Sequence, residues 1–225
     1  MAGHQSLIKT LYPNIIFDLD GTLTDSADGV TASISYALKK MGLKVKNEDL
    51  ISFIGPPLQS SFKKICGFTE KEMLDAITHF RDYYREKGIY INKLYPGITK
   101  LLDNLYSNEI KIYLATSKAT FFAETILKHF KIDHYFTFIA GATLDGSRVE
   151  KKEVLSYLIA NNSNIHHKNA VMVGDRKHDI IGAQAFGLNS IAVTYGYGSI
   201  QELSLENPEH IVHSVPELEK VLTGI

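Results

Sequence analysis

The chain alternates short apolar runs with longer stretches whose apolar residues recur at helical spacing. Residues 14–17, 111–115, 170–173 and 190–193 form brief apolar runs, rich in β-branched residues, without alternation. A strand covered by helices on both faces has no solvent side, so these runs predict buried parallel strands. Between and after them, 98–106, 119–130, 152–160 and 179–185 have the length and spacing of helices. Ser214, Pro216 and Glu217 mark the start of a final helix with an N-cap, an early proline and a capping-box acid. Strand and helix in alternation predict an α/β fold around an open parallel sheet.

One region breaks that rhythm. From 27 to 94 no strand is predicted, and helix patterns occupy 30–41, 58–66 and 70–86. Thr69 and Glu72 supply a capping box for the third. Gly55-Pro56-Pro57 is a loop, because two prolines cannot continue a helix. Tyr95-Pro96-Gly97 reads as the turn back to the sheet. The expected organisation is a core of residues 1–26 and 95–225, with a helical insert over 27–94.

Composition narrows the function classes. The 225 residues are 44% hydrophobic and 22% charged, which fits a folded domain and excludes global disorder. A net charge of -1 removes a nucleic-acid polymer held by bulk positive charge. The single cysteine, Cys66, excludes an internal disulfide and a multi-cysteine zinc site, and is expected to pack inside the helical insert. No run is long enough for a membrane span, and residues 1–10 lack the apolar core of a signal peptide, so a cytoplasmic location is expected. The nine histidines show no metal-ligand spacing, and His166-His167 reads as surface loop.

The chemistry gathers at strand ends, where open α/β sheets bind ligands. Asp18-Leu19-Asp20-Gly21-Thr22 leaves the first strand, with two acids at i and i+2, a glycine that lets the backbone bend, and a threonine placed to bond back into the turn. Alone, it also suits a solvated Asx turn. Gly174-Asp175-Arg176-Lys177-His178-Asp179 repeats the arrangement after the third run, and Asp179 equally suits a helix N-terminus. Oxygen ligands from two strand ends fit Mg²⁺ completed by a substrate phosphate. Thr116-Ser117-Lys118 ends the second run with hydroxyls at the start of a helix, which suits phosphate oxygens or a simple helix cap. Lys151-Lys152 precedes another helix, either as a counter-charge for the site or as solvated surface.

These four segments, in this order, resemble the haloacid dehalogenase superfamily of phosphohydrolases. Its pattern is an Asp-x-Asp-Gly-Thr loop, a Thr/Ser strand end, a lysine and a Gly-Asp-x-x-x-Asp loop. Gly55-Pro56-Pro57-Leu58, Thr116-Ser117-Lys118 and Gly146-Ser147-Arg148 are similar to its phosphoglycolate-phosphatase-like branch, some members of which are described as 5′-nucleotidases. The resemblance spans the chain and implies a Rossmann-like three-layer core with a small α-helical cap that selects substrate. It implies Asp18 as nucleophile, Asp20 as general acid and base, and Thr116, Ser117 and Lys151 as phosphoryl-binding groups, with Lys151 preferred to Lys152. It also implies Mg²⁺ held by Asp18, the Asp20 carbonyl and Asp175, with Asp179 in support. Gly55 and Arg81 are expected to face substrate from the cap. Arg81, Tyr84 and Lys87 share a helical face that suits an anionic group and equally suits solvent. Tyr195-Gly196-Tyr197-Gly198 is expected to be a flexible turn rather than a flap over the site.

The aspartate at position 20 is absent from the dehalogenase and phosphonatase branches, so the resemblance favours phosphate esters. The expected function is a Mg²⁺-dependent phosphomonoesterase acting on phosphoglycolate, a nucleoside monophosphate or a sugar phosphate. The expected protein is a monomer or small homo-oligomer. A sugar phosphomutase of the β-phosphoglucomutase type would use the same aspartates. A phospho-aspartate signalling domain shares clustered acids, Thr/Ser and Lys, but lacks an insert of this kind.

Overall fold

A computed structural model describes residues 12–43, 47–166 and 169–224. The predicted features of residues 1–10 and of His167 lie outside the described residues. The elements run β1 (Asn14–Phe17), β2 (Thr24–Asp25), α1 (Ala27–Lys40), a 3-10 helix (Asn47–Phe53), α2 (Leu58–Cys66), α3 (Glu70–Glu86), β3 (Lys93–Leu94) and α4 (Ile98–Ser107). They continue with β4 (Lys111–Ala119), α5 (Thr120–His129), β5 (Phe136–Ala142), α6 (Lys151–Ala160), β6 (Ala170–Gly174), α7 (Lys177–Gln184), β7 (Asn189–Val193), α8 (Ile200–Ser204), β8 (His210–Val212) and α9 (Val215–Thr223).

Six strands form one parallel sheet in the order β5-β4-β1-β6-β7-β8. Every residue of β1 is buried. Successive side chains in a strand point to opposite faces, and the two packing clusters follow that rule. Ile15 and Phe17 pack with Leu101 of α4, Ile126 of α5 and Leu218 of α9. Ile16 packs with Tyr113, Met172 and Leu155 of α6 on the other face. The predicted three-layer α/β architecture is therefore present.

Two strands of the six-stranded sheet were not predicted. β5 is a half-exposed edge strand, so its burial is too uneven for a continuous apolar run. β8 has only three residues. β4 extends four residues beyond its predicted end at 115, carrying Thr116, Ser117 and Lys118 within an irregular strand end instead of at the start of a helix. β3 is a further exception to the strand-free 27–94 segment. It pairs antiparallel with β2, so the two strands by which the chain leaves and re-enters the sheet are joined.

The helical block forms where the spacing predicts it. α2 and α3 match their predicted limits, and the Thr69–Glu72 capping box is complete. α3 buries Met73, Ala76, Ile77, Phe80 and Tyr84, a stripe at helical spacing. α1 packs against it through Ile34, Ala37 and Leu38, with Tyr36 stacked on Tyr83 at 5.0 Å. Cys66, expected inside this block, packs half-buried at its edge, and burial pushes its thiol pKa up, away from the thiolate a nucleophile needs. No helix among the described residues is long and apolar enough to cross a membrane.

Candidate active site

β1 delivers Asp18 to the carboxyl edge of the sheet, and the Asp18 amide donates to the Val173 carbonyl of β6 at 2.9 Å. The chain then winds tightly. The amides of Leu23 and Thr24 both donate to the Leu19 carbonyl, at 2.9 and 3.0 Å. Gly21 sits in this turn at φ +84°, and a Cβ there would lie 2.1 Å from Asp175 Oδ2. Only glycine allows both that backbone conformation and that approach. Thr22, expected to bond back into its own turn, instead places its hydroxyl 3.4 Å from Asp175 Oδ1.

Asp18, Asp175 and Asp179 converge, with one carboxylate oxygen of each within 4.8 Å of the others. All three are buried, Asp175 completely. Asp179 also caps α7, accepting from the Arg176 amide at 3.1 Å, so its helix-terminus role and its place in the cluster coexist. Lys151, the first residue of α6, reaches into the cluster. Its Nζ lies 2.9 Å from Asp18 Oδ1 and 2.7 Å from Asp179 Oδ1, and donates to the Ala115 carbonyl at 2.7 Å. Lys152 is exposed. The choice between the two lysines is a matter of helix phase.

One ammonium among three buried carboxylates leaves negative charge uncompensated. Burial pushes the Asp18 carboxyl up to about 6, with Lys151 opposing and Asp179 adding to the rise. Burial, then Asp179 and Asp18, raise Asp175 well above the ordinary carboxylate range. Burial alone would lower the Lys151 ammonium, but Asp179 and Asp18 outweigh it and hold it above the ordinary lysine value. Buried like charges are costly unless a cation joins them. The hard oxygen donors and the residual charge fit a divalent cation such as Mg²⁺.

Across from this cluster lies a cavity of about 90 Å³ between the sheet edge and the helical block. Asp18, Asp20, Thr116 and Ser117 form its floor, and Gly55 and Arg81 line it from the block. Its walls are largely apolar, with Phe53, Ile77, Phe80 and Phe122. Gly55 has φ +101°, and the side chain of Arg176 packs where a Cβ would project. Arg176 donates to the Ile54 carbonyl and pairs with Glu202 at 2.9 Å, which ties this loop to the acidic strand end. Tyr84 lines the cavity beside Arg81, but Lys87 does not. Lys87 follows the end of α3, where its ammonium lies over the Tyr83 ring at 5.9 Å, so the predicted three-residue face is two residues long.

Two features of the site were not predicted. The Lys118 side chain is largely covered, lies 2.9 Å from Asp20 Oδ2 and donates to the Tyr84 hydroxyl at 2.7 Å. The Tyr195–Gly198 segment is not a free turn. The Tyr197 amide donates to Asp175 Oδ2 at 2.7 Å, and its hydroxyl bonds Asp25 Oδ1 at 3.1 Å and accepts from the Ser26 amide at 2.8 Å. The alternating Tyr-Gly pattern is the signal that was available: glycine lets backbone approach a carboxylate, and tyrosine fills the surrounding space.

Comparison with known proteins agrees with this geometry. Residues 15–193 match the model of the haloacid dehalogenase-like hydrolase family. A 5′-nucleotidase of Pseudomonas aeruginosa is 40% identical, over 94% of this chain and 96% of its own length. The tyrosine-protein kinase PtkA of Mycobacterium tuberculosis is 39% identical over 92% of this chain and 72% of its own. A phosphoglycolate phosphatase of Yersinia pestis is 32% identical over 91% of this chain and 90% of its own. A crystal structure described as a predicted phosphatase from Clostridium acetobutylicum superposes with a TM-score of 0.92 at 44% identity, over 96% of this chain and all of that one. The buried aspartate cluster at the sheet edge, the family match and these relatives lead to one conclusion: the chain belongs to the haloacid dehalogenase-like hydrolases, as an enzyme of their phosphatase branch.

Proposed function

We propose that the protein is a Mg²⁺-dependent cytoplasmic phosphomonoesterase that works through an aspartyl-phosphate on a small soluble phosphate ester. The observation that carries this reading is the convergence of Asp18, Asp175, Asp179 and Lys151 beside a cavity that Asp20 also lines. In the first step an Asp18 carboxylate oxygen attacks phosphorus, forming the acyl-phosphate bond as the bond to the ester oxygen breaks. Asp20 gives a proton to the departing alcohol oxygen, then takes one from the water that attacks the phosphoryl group and frees Asp18. Lys151 holds Asp18 in place and offsets charge as the anionic phosphate approaches. Thr116 and the amides of the β1 and β4 strand ends bind the remaining phosphoryl oxygens. Asp18, the Asp20 carbonyl and Asp175 would hold Mg²⁺, with Asp179 supporting them, and the bound cation would screen carboxylate from phosphate.

Residues 27–94 act as the cap that selects substrate. Its largely apolar walls, with Gln59, Arg81 and Tyr84 as polar groups, suit an alcohol that has an apolar face, and rank a nucleoside monophosphate ahead of phosphoglycolate. The similarity to a 5′-nucleotidase supports the same ranking. The test is phosphate release from nucleoside monophosphates, sugar phosphates and phosphoglycolate, with and without Mg²⁺. The expected result is Mg²⁺-dependent release, greatest from a nucleoside monophosphate. No release from any ester would end the reading, and interconversion of hexose phosphates without release would replace it with a mutase.

A further inference from the structure

Asp20, the residue read here as the proton donor, is held from one side only. Its Oδ2 lies 2.9 Å from the Lys118 ammonium, whereas its Oδ1 is buried and without a hydrogen-bond partner. The Lys118 side chain is 8% exposed and has a second partner from a different part of the chain. It donates to the Tyr84 hydroxyl at 2.7 Å and lies 4.5 Å from the centre of the Tyr84 ring. Tyr84 is a buried residue of α3 in the helical block, stacked on Phe80 and edge-on to Phe122 of α5. Lys118 belongs to the end of β4 in the sheet. A three-residue chain thus runs from the block through Lys118 to Asp20.

The arrangement does three things at once. A buried ammonium with two oxygen partners and a ring face has little freedom to move. It holds the Asp20 carboxylate in one orientation where that residue borders the cavity. And its second partner is present only when α3 is seated against the sheet edge, where it also walls the cavity. We infer that Lys118 is a positioning residue for Asp20, set in turn by Tyr84, so that the proton donor is in place only when the helical block is seated over the site. This inference rests on the reading of Asp20 as the group that protonates the leaving alcohol.

A misplaced proton donor harms esters of poor leaving groups far more than esters whose leaving group departs unprotonated. The experiment compares the single-turnover rate of alcohol release from p-nitrophenyl phosphate with that from the alkyl phosphate that the wild-type protein hydrolyses best, so that the later attack of water, in which Asp20 also acts, does not enter. The full chain is used, as wild type, Lys118→Met and Tyr84→Phe. Lys118→Met is expected to lower this rate on the alkyl ester by about 100-fold, the order that a general acid contributes. On the aryl ester it should fall by less than about fivefold, and the half-saturating concentration for both should stay within about threefold. Tyr84→Phe keeps the ring and is expected to move the rate on the alkyl ester alone, by about tenfold.

Equal losses of the single-turnover rate on the two esters would overturn the inference and leave Lys118 a structural role. A rise in the half-saturating concentration alone would also overturn it, by making Lys118 a substrate-binding group. Circular dichroism establishes whether each variant folds. If Lys118→Met does not, Tyr84→Phe decides by the same criteria. Failure of the wild-type protein on both esters would instead remove the hydrolase reading, and the inference with it.

Discussion

Lys151 carries the highest stakes of any single side chain in the site. It is 4% exposed and lies within 2.9 Å of two carboxylates that no other side-chain cation reaches among the described residues. Truncating one partner of a buried ion pair leaves the other charge unpaired, at a cost of about 3–5 kcal/mol. Lys151→Met should therefore lower the free energy of unfolding by about 3 kcal/mol in urea titration, with Mg²⁺ restoring part of it. A loss below about 0.5 kcal/mol, the scale of an exposed pair, would show that Lys151 does not stabilise the acids. This residue was legible only through the family resemblance, since by its surroundings in sequence the lysine pair reads equally as solvated surface. Lys118 was not legible as part of the site. Its partners Asp20 and Tyr84 lie on a different loop and a different helix, and nothing local distinguishes an inward lysine at an irregular strand end from a solvated one. Tyr197 escaped for the same reason, since its contacts with Asp175, Asp25 and Ser26 are all tertiary.

The elements that place these groups depend on a few backbone positions. The β1 exit loop is the clearest case. At Gly21, a Cβ would meet Asp175 Oδ2 at 2.1 Å and the residue would be held at φ +84°. Gly21→Ala should push Asp175 out of the cluster, weakening Mg²⁺ binding and lowering turnover by at least about tenfold, since displacement by even an ångström costs about that or more. The backbone strain adds about 1–3 kcal/mol of destabilisation. Calorimetric titration with Mg²⁺ and thermal unfolding check the two effects, and a variant that matches wild type in both would place Gly21 outside the site. Elements with a local signature were read correctly: α3 from its capping box and apolar stripe, β1 from four consecutive buried residues. Elements at the edges of the sheet were missed. β5 exposes part of its length and β8 is short, so neither presents the continuous run that a central parallel strand requires.

For the molecule as a whole, a net charge of -1 conceals a concentrated deficit. Three buried acids share one ammonium at the sheet edge. The consequence is a linked dependence of stability on metal and pH. Asp18 is raised from 3.8 to about 6 in the folded protein, and Asp175 is raised as well. Between those values the folded state binds more protons than the unfolded chain, so these groups make the metal-free protein less stable as pH rises through that window. Mg²⁺ needs the ionised carboxylates, so its stabilisation should grow over the same interval, approaching about 2.7 kcal/mol at a hundredfold excess over its dissociation constant. The difference in Tm with and without Mg²⁺, followed across this range, isolates the site from other titrating groups. A difference that does not vary with pH would contradict the metal assignment.

At this scale the architecture was legible because the pattern of buried runs, the helical insert and the four strand-end segments all agree. The strand order, with β1 between β4 and β6, was not, because it depends on pairings distant in sequence. That order is what brings Asp18, Thr116 and Asp175 to one edge of the sheet. The central claim is that Asp18 is the nucleophile there. The measurement that tests it most directly is the rate of Mg²⁺-dependent phosphate release by Asp18→Asn beside wild type, on the ester the wild type hydrolyses best. The account predicts a folded variant whose rate falls by at least about 1,000-fold. A folded Asp18→Asn protein that releases phosphate within about tenfold of the wild-type rate would contradict it.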